Sequence, residues 1–126
     1  MKRSAITFII AAVLLFMECA TMHAQSLIAY KGKVKEGYNF WLYRPTDESA
    51  PKPVVIFLHG ASLCGTNMNK VRNYGTIDAV EKGRKIDAYI IAPQNPGGAW
   101  TPNRIMNVLE WVKQCNNDDS TRVYVL

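Results

Sequence analysis

Val54-Val55-Ile56-Phe57-Leu58-His59-Gly60-Ala61-Ser62 is the stretch from which the rest of the 126-residue sequence is read. Residues 54–58 are apolar without alternation, which is the pattern of a strand covered by helices on both faces and so of a parallel strand. The pair His59-Gly60 then interrupts the run, and glycine lets the backbone turn sharply without a Cβ clash. In open parallel sheets, ligands bind beyond the carboxyl ends of the strands, so this turn lies where function is expected.

Upstream, residues 27–34 and 38–43 are rich in β-branched and aromatic residues, and Glu36-Gly37 supplies turn chemistry, so the two read as an antiparallel pair. Residues 44–53 are polar and punctuated by Pro45, Pro51 and Pro53, which predicts a surface loop. Downstream, residues 60–75 are rich in Gly, Asn, Ser and Thr and read as a loop with one irregular turn around 68–72. Residues 76–82 form a short helix closed by Gly83, and residues 88–92 form a second buried strand. Thr101-Pro102 opens a helix as N-cap and first-turn proline. Ile105, Val108, Leu109, Val112 and Cys115 give that helix one apolar stripe. Residues 116–120 close it, and residues 122–126 read as a third buried strand. This order predicts an α/β fold with a mostly parallel sheet and an antiparallel first hairpin.

Lys2 and Arg3, an apolar run from about residue 5 to 17, and Met22-His23-Ala24 make residues 1–24 a cleavable signal peptide. The apolar core is roughly 13 residues where a bilayer span needs about 20. The expected mature chain, residues 25–126, is secreted or periplasmic, without membrane attachment after cleavage. Loss of Lys2, Arg3 and Glu18 leaves 13 basic against 9 acidic residues, a formal charge of +4 instead of +5. These charges are scattered, so neither nucleic acid nor a membrane surface is expected as a partner. Of the cysteines, Cys64 and Cys115 remain, either as one disulfide or as two thiols, and no spacing suggests a metal site.

The Leu58-His59-Gly60-Ala61 turn after a long buried strand resembles the oxyanion loop of the α/β hydrolases. Ile91-Ala92-Pro93-Gln94 resembles the next strand end in secreted esterases related to polyhydroxybutyrate depolymerases, feruloyl esterases and prolyl-oligopeptidase-like hydrolases. Trp100, the following helix and the run from Asp118 to Val125 resemble the segment that leads to their Gly-x-Ser-x-Gly elbow. The resemblance covers nearly all of residues 25–126. It implies an exported serine hydrolase that cleaves carboxylic esters through an acyl-enzyme, without cofactor. The substrate it implies is a small-molecule or polysaccharide-linked ester. It also implies that this sequence is the N-terminal part of such a domain. The serine is expected about three residues past Leu126, and the acid and histidine later still.

In this frame the Ala61 amide is an oxyanion donor, and Gly60 and His59 shape its loop. His59 is the one histidine left after cleavage and is structural in the resembled family. Ser62 fails as a nucleophile because Cys64 stands where an elbow has glycine; its hydroxyl braces the loop or faces substrate. Cys64 has no second histidine to activate it. Trp100 either lines a substrate pocket or packs where loop meets helix. The rival reading is a non-catalytic secreted α/β module that binds a ligand or carbohydrate through Trp41, Trp100 and the Gly-rich loops.

Overall fold

The computed structural model describes residues 26–114 and 116–126. The expected signal peptide, residues 1–24, and Cys115 lie outside them. The strands are β1 (Ser26–Tyr30), β2 (Asn39–Arg44), β3 (Lys52–Ile56), β4 (Tyr89–Gln94) and β5 (Asp118–Val125). The helices are α1 (Gly75–Glu81) and α2 (Pro102–Lys113), and 3-10 turns occupy Ala61–Leu63 and Met68–Asn73.

The strands form one sheet in the order β1-β2-β4-β3-β5. β1 pairs antiparallel with β2, and β2 pairs antiparallel with β4. β3 runs parallel to β4 on one side and to β5 on the other. The sheet is therefore mixed, which corrects the expectation of a mostly parallel one. The expected hairpin is present, but β2 also zips onto β4, so the antiparallel part makes up half of the strand pairings.

Both faces of the sheet are covered, which is why its central strands read as continuous apolar runs. Phe40 and Leu42 of β2, Val54 and Ile56 of β3, and Tyr89 and Ile91 of β4 pack against Val108, Leu109 and Val112 of α2. The alternate residues Trp41, Tyr43, Ile90 and Ala92 pack on the other face against Met68, Val71, Ile77 and Val80. Each such side chain, fully buried, stabilises the fold by roughly 1.5–3 kcal/mol before entropy is subtracted. The connections leaving β3 and β4 thus go to opposite faces, and their ends flank a topological switch point.

Several element bounds differ from the sequence reading for identifiable reasons. β1 stops at Tyr30 because Gly32 and Glu36 take positive φ values of 62° and 52°. β3 starts two residues early and accommodates Pro53 in the register shift between Lys52 and Val54, where a proline costs no regular ladder bond. β5 starts at Asp118 instead of residue 122, because Lys52 already pairs with it across that irregularity.

The start of β5 is held by a compact polar turn. The Asp119 carboxylate accepts from the Thr121 hydroxyl (2.6 Å), the Thr121 N–H (2.9 Å) and Arg122 Nε (2.8 Å). The Thr121 hydroxyl, foremost, holds the Asp119 carboxyl down to about 2. A folded-state value below the unfolded one of about 3.9 means stability that is fully present above the latter and lost as pH falls through the former. Thr121→Val is therefore expected to melt earlier than the parent at pH 5, with the difference vanishing near pH 2. NMR titration of the Asp119 carboxyl checks the cause, and a variant whose Asp119 still titrates at about 2 contradicts it.

Candidate active site

β3 delivers the chain to the end of the sheet where β4 and β5 also terminate. Hydrogen bonding continues past the strand itself, since Phe57 N–H donates to Ile91 O (2.9 Å) and Leu58 N–H to Leu126 O (3.0 Å). Beyond them Gly60 precedes a 3-10 turn closed by Leu63 N–H to Gly60 O and Cys64 N–H to Ala61 O. Leu63 is buried and anchors this turn, while Gly60, Ala61 and Ser62 are exposed. As the first residue of the turn, Ala61 has an N–H that the turn leaves unused, and among the described residues nothing accepts from it.

Gly60 itself is extended, with φ −79° and ψ 176°. A Cβ there would meet nothing within 4 Å. This corrects the expectation that glycine is needed for a sharp turn, because any residue can adopt this backbone. What the missing side chain provides is open space beside the Ala61 amide.

His59 is 4% exposed and fully engaged. Asn95 N–H donates to Nε2 (2.9 Å), so Nε2 carries no proton and Nδ1 must. Nδ1 then donates to Gly60 O (2.7 Å). The imidazole is a neutral brace between the β4 end and the Gly60 carbonyl. Trp100 closes on the same point: its ring meets the His59 ring edge-on at 4.9 Å, and its Nε1 donates to His59 O (3.3 Å). Its other neighbour is the Tyr38 ring, 5.0 Å away. Trp100 is thus packed where loop meets helix.

The clamp on this loop comes from two amides that the sequence reading did not single out. Buried Gln94 donates through Nε2 to Leu63 O (3.3 Å) and Asn67 O (2.7 Å). Asn95 bonds His59 through its backbone, accepts from Gly65 N–H (3.0 Å), and closes its own turn onto Gly97 and Gly98. The only hint of this in the sequence is a pair of amide side chains directly after a buried apolar strand.

Neither alternative nucleophile has a base. The hydroxyl of Ser62 and the free, partly exposed thiol of Cys64 share a neighbourhood whose imidazole is already bonded at both nitrogens. Pairing of Cys64 with Cys115 falls outside the described residues. Trp41 is 9% exposed, donates to Met68 O (2.8 Å) and carries the Arg72 guanidinium 5.2 Å from its ring centroid. Among the described residues no group of three or more His, Cys, Asp or Glu could hold a metal ion.

Comparison with known structures gives the frame a counterpart. The chain superposes on a thermostable esterase with a TM-score of 0.52 at 20% identity, covering 82% of this chain and 34% of the esterase. The likeness is one of fold, a mixed α/β sheet with helices. An S-formylglutathione hydrolase from Agrobacterium tumefaciens is also similar, with a TM-score of 0.48 at 16% identity over 80% of this chain and 47% of the hydrolase. The chain thus spans about a third of the esterase and under half of the hydrolase. No protein-family model matches the sequence, and no curated protein matches it. The residues from Leu58 to Cys64 present a braced loop at the carboxyl end of a central strand, and the N–H of the exposed Ala61 has no acceptor among the described residues. Chemically, such a loop can donate a hydrogen bond to a carbonyl oxygen or an oxyanion.

Proposed function

We propose that this chain is part of an exported serine hydrolase that cleaves carboxylic esters by forming and hydrolysing an acyl-enzyme. The observation that carries the reading is the amide of the exposed Ala61, which has no acceptor among the described residues and is held at the end of β3 by the His59 and Asn95 bonds. A donor fixed in place before reaction stabilises charge that develops in the transition state and pays no reorganisation cost. In this proposal the Ala61 N–H binds the oxyanion, His59 orients the Gly60 carbonyl, and Gly60 leaves room for the acyl group. Trp100 backs the loop and Ser62 borders the substrate. The nucleophile, acid and base belong to the part of the domain beyond residue 126, in keeping with a match to a third of an esterase. The substrate is a small-molecule or polysaccharide-linked ester.

Treating the full-length protein with a fluorophosphonate and mapping the adduct by mass spectrometry tests this. The expected result is a single labelled serine outside residues 1–126, with loss of p-nitrophenyl acetate hydrolysis. Labelling of Ser62, abolished in Ser62→Ala, overturns the assignment of roles.

A further inference from the structure

At the same end of the sheet, beside the segment that follows the Ala61 turn, lies a cavity of about 170 Å³. Gly65 and Thr66 of that segment, Asn39 at the start of β2, Gln94 at the end of β4 and Arg104 in the first turn of α2 contribute to its wall. Its one charged group is a cation, and beside it stand both donors and the Gln94 Oε1, an acceptor. The Arg104 guanidinium lies over the Tyr38 ring at 5.2 Å and makes no ion pair among the described residues. The Oδ1 of Asn39 is taken by Gly32 N–H (2.8 Å), which turns its Nδ2 into a donor with no protein partner among the described residues. The Nε2 of Gln94 is spent on Leu63 and Asn67, which fixes that side of the wall. No acidic side chain lines the cavity.

A cation in the first turn of a helix opposes the helix dipole and is unfavourable unless an anion offsets it. α2 carries no acidic residue in its first turn to do so. Arg104 is exposed, and its guanidinium stacks on the tyrosine face with its planar fork open to a two-oxygen acceptor. One positive charge, with the Asn39 Nδ2 donor on one side and the Gln94 Oε1 acceptor on another, suits the single charge of a carboxylate better than the two of a phosphate. The volume is below the roughly 300–1,000 Å³ of pockets that enclose whole drug-sized ligands, so the cavity takes one substituent.

We propose that this cavity is a subsite for a carboxylate substituent of the substrate, gripped by Arg104 with Asn39 and Thr66 at its side. The proposal rests on the ester-hydrolase reading for the word substrate, and it assigns specificity for acidic esters, such as those of uronic or aromatic dicarboxylic acids. Arg104 is a binding residue and takes no part in bond breaking.

The test is binding to the full-length protein, followed by ¹H–¹⁵N NMR with benzoate as probe and benzamide as its uncharged match. Benzoate is expected to shift Gly65, Thr66 and the Arg104 Nε–H saturably, with benzamide at least about ten-fold weaker. Arg104→Gln is expected to weaken benzoate by about the same factor and leave benzamide unchanged, whereas Arg84→Gln on the surface changes neither. Equal binding of benzoate and benzamide, tighter binding of inorganic phosphate, or no saturable shift overturns the proposal on the parent protein alone, whatever the variant's folding. Because no hydrolysis is measured, a failure here leaves the fluorophosphonate result standing, and the converse also holds.

Discussion

Ala61→Pro is expected to lower kcat for ester hydrolysis by about 10²–10³-fold, some 3–4 kcal/mol of transition-state stabilisation, with KM and folding stability little changed. Proline removes one N–H and nothing else that the loop uses. It fits the first position of a helical turn, where the N–H has no internal partner and φ near −65° is already required. The preceding residue tolerates it as well, since Gly60 is extended at φ −79° and ψ 176°, away from the helical region that proline disfavours before itself. Ala61→Ser, which keeps the N–H, is the control and is expected to retain kcat within a few-fold. Steady-state kinetics of the full-length protein decide the matter. If the proline variant turns over normally, the amide is no oxyanion donor, and the proposed function loses its main support.

Gly75→Ala is expected to destabilise the fold by about 2–5 kcal/mol, read as a lower midpoint in urea with an unchanged m value. Gly75 opens α1 with φ +65°. Left-handed backbone costs an L-residue roughly 1–2 kcal/mol. A Cβ would also fall against the Phe57 ring, 2.7 Å from Cε2 and 2.9 Å from Cε1, and overpacking of this kind adds roughly 1–3 kcal/mol. Phe57 lies two residues before His59, so the clash is transmitted toward the braced loop. The double variant Phe57→Leu with Gly75→Ala should recover the packing part and leave the backbone part, which a double-mutant cycle separates. Gly60→Ala, with nothing near its Cβ, should stay within about 0.5 kcal/mol of the parent. Equal losses at positions 60 and 75 contradict this account.

The contrast between those two glycines shows what the sequence made legible. Residues 54–58 announced a doubly covered strand, and β3 is packed on both faces, because apolar continuity is a local signal. The role first attached to Gly60 belongs in conformational terms to Gly75, and φ is not visible in a string of letters. The α2 stripe was readable from its three- and four-residue spacing, and Val108, Leu109 and Val112 are buried in that face. The antiparallel pairing of β2 with β4 was not readable, since nothing local to residues 39–44 records which later strand they will meet. The Gln94 and Asn95 clamp was hidden for the same reason: its partners at Leu63, Asn67 and His59 lie about thirty residues earlier, across a helix and a strand.

The position of β3 between β4 and β5 has a consequence for how the protein is made. Both of its hydrogen-bonding neighbours are encoded after it, and the pairing of Lys52 with Asp118 joins distant parts of the chain. The β1-β2 hairpin can close within microseconds, while the greasy Val54-Val55-Ile56 segment stays unpaired until residues 89–94 and 118–125 reach it. Its high contact order makes this the slow step of assembly, and it is the interval in which a chaperone gains most by holding the nascent strand.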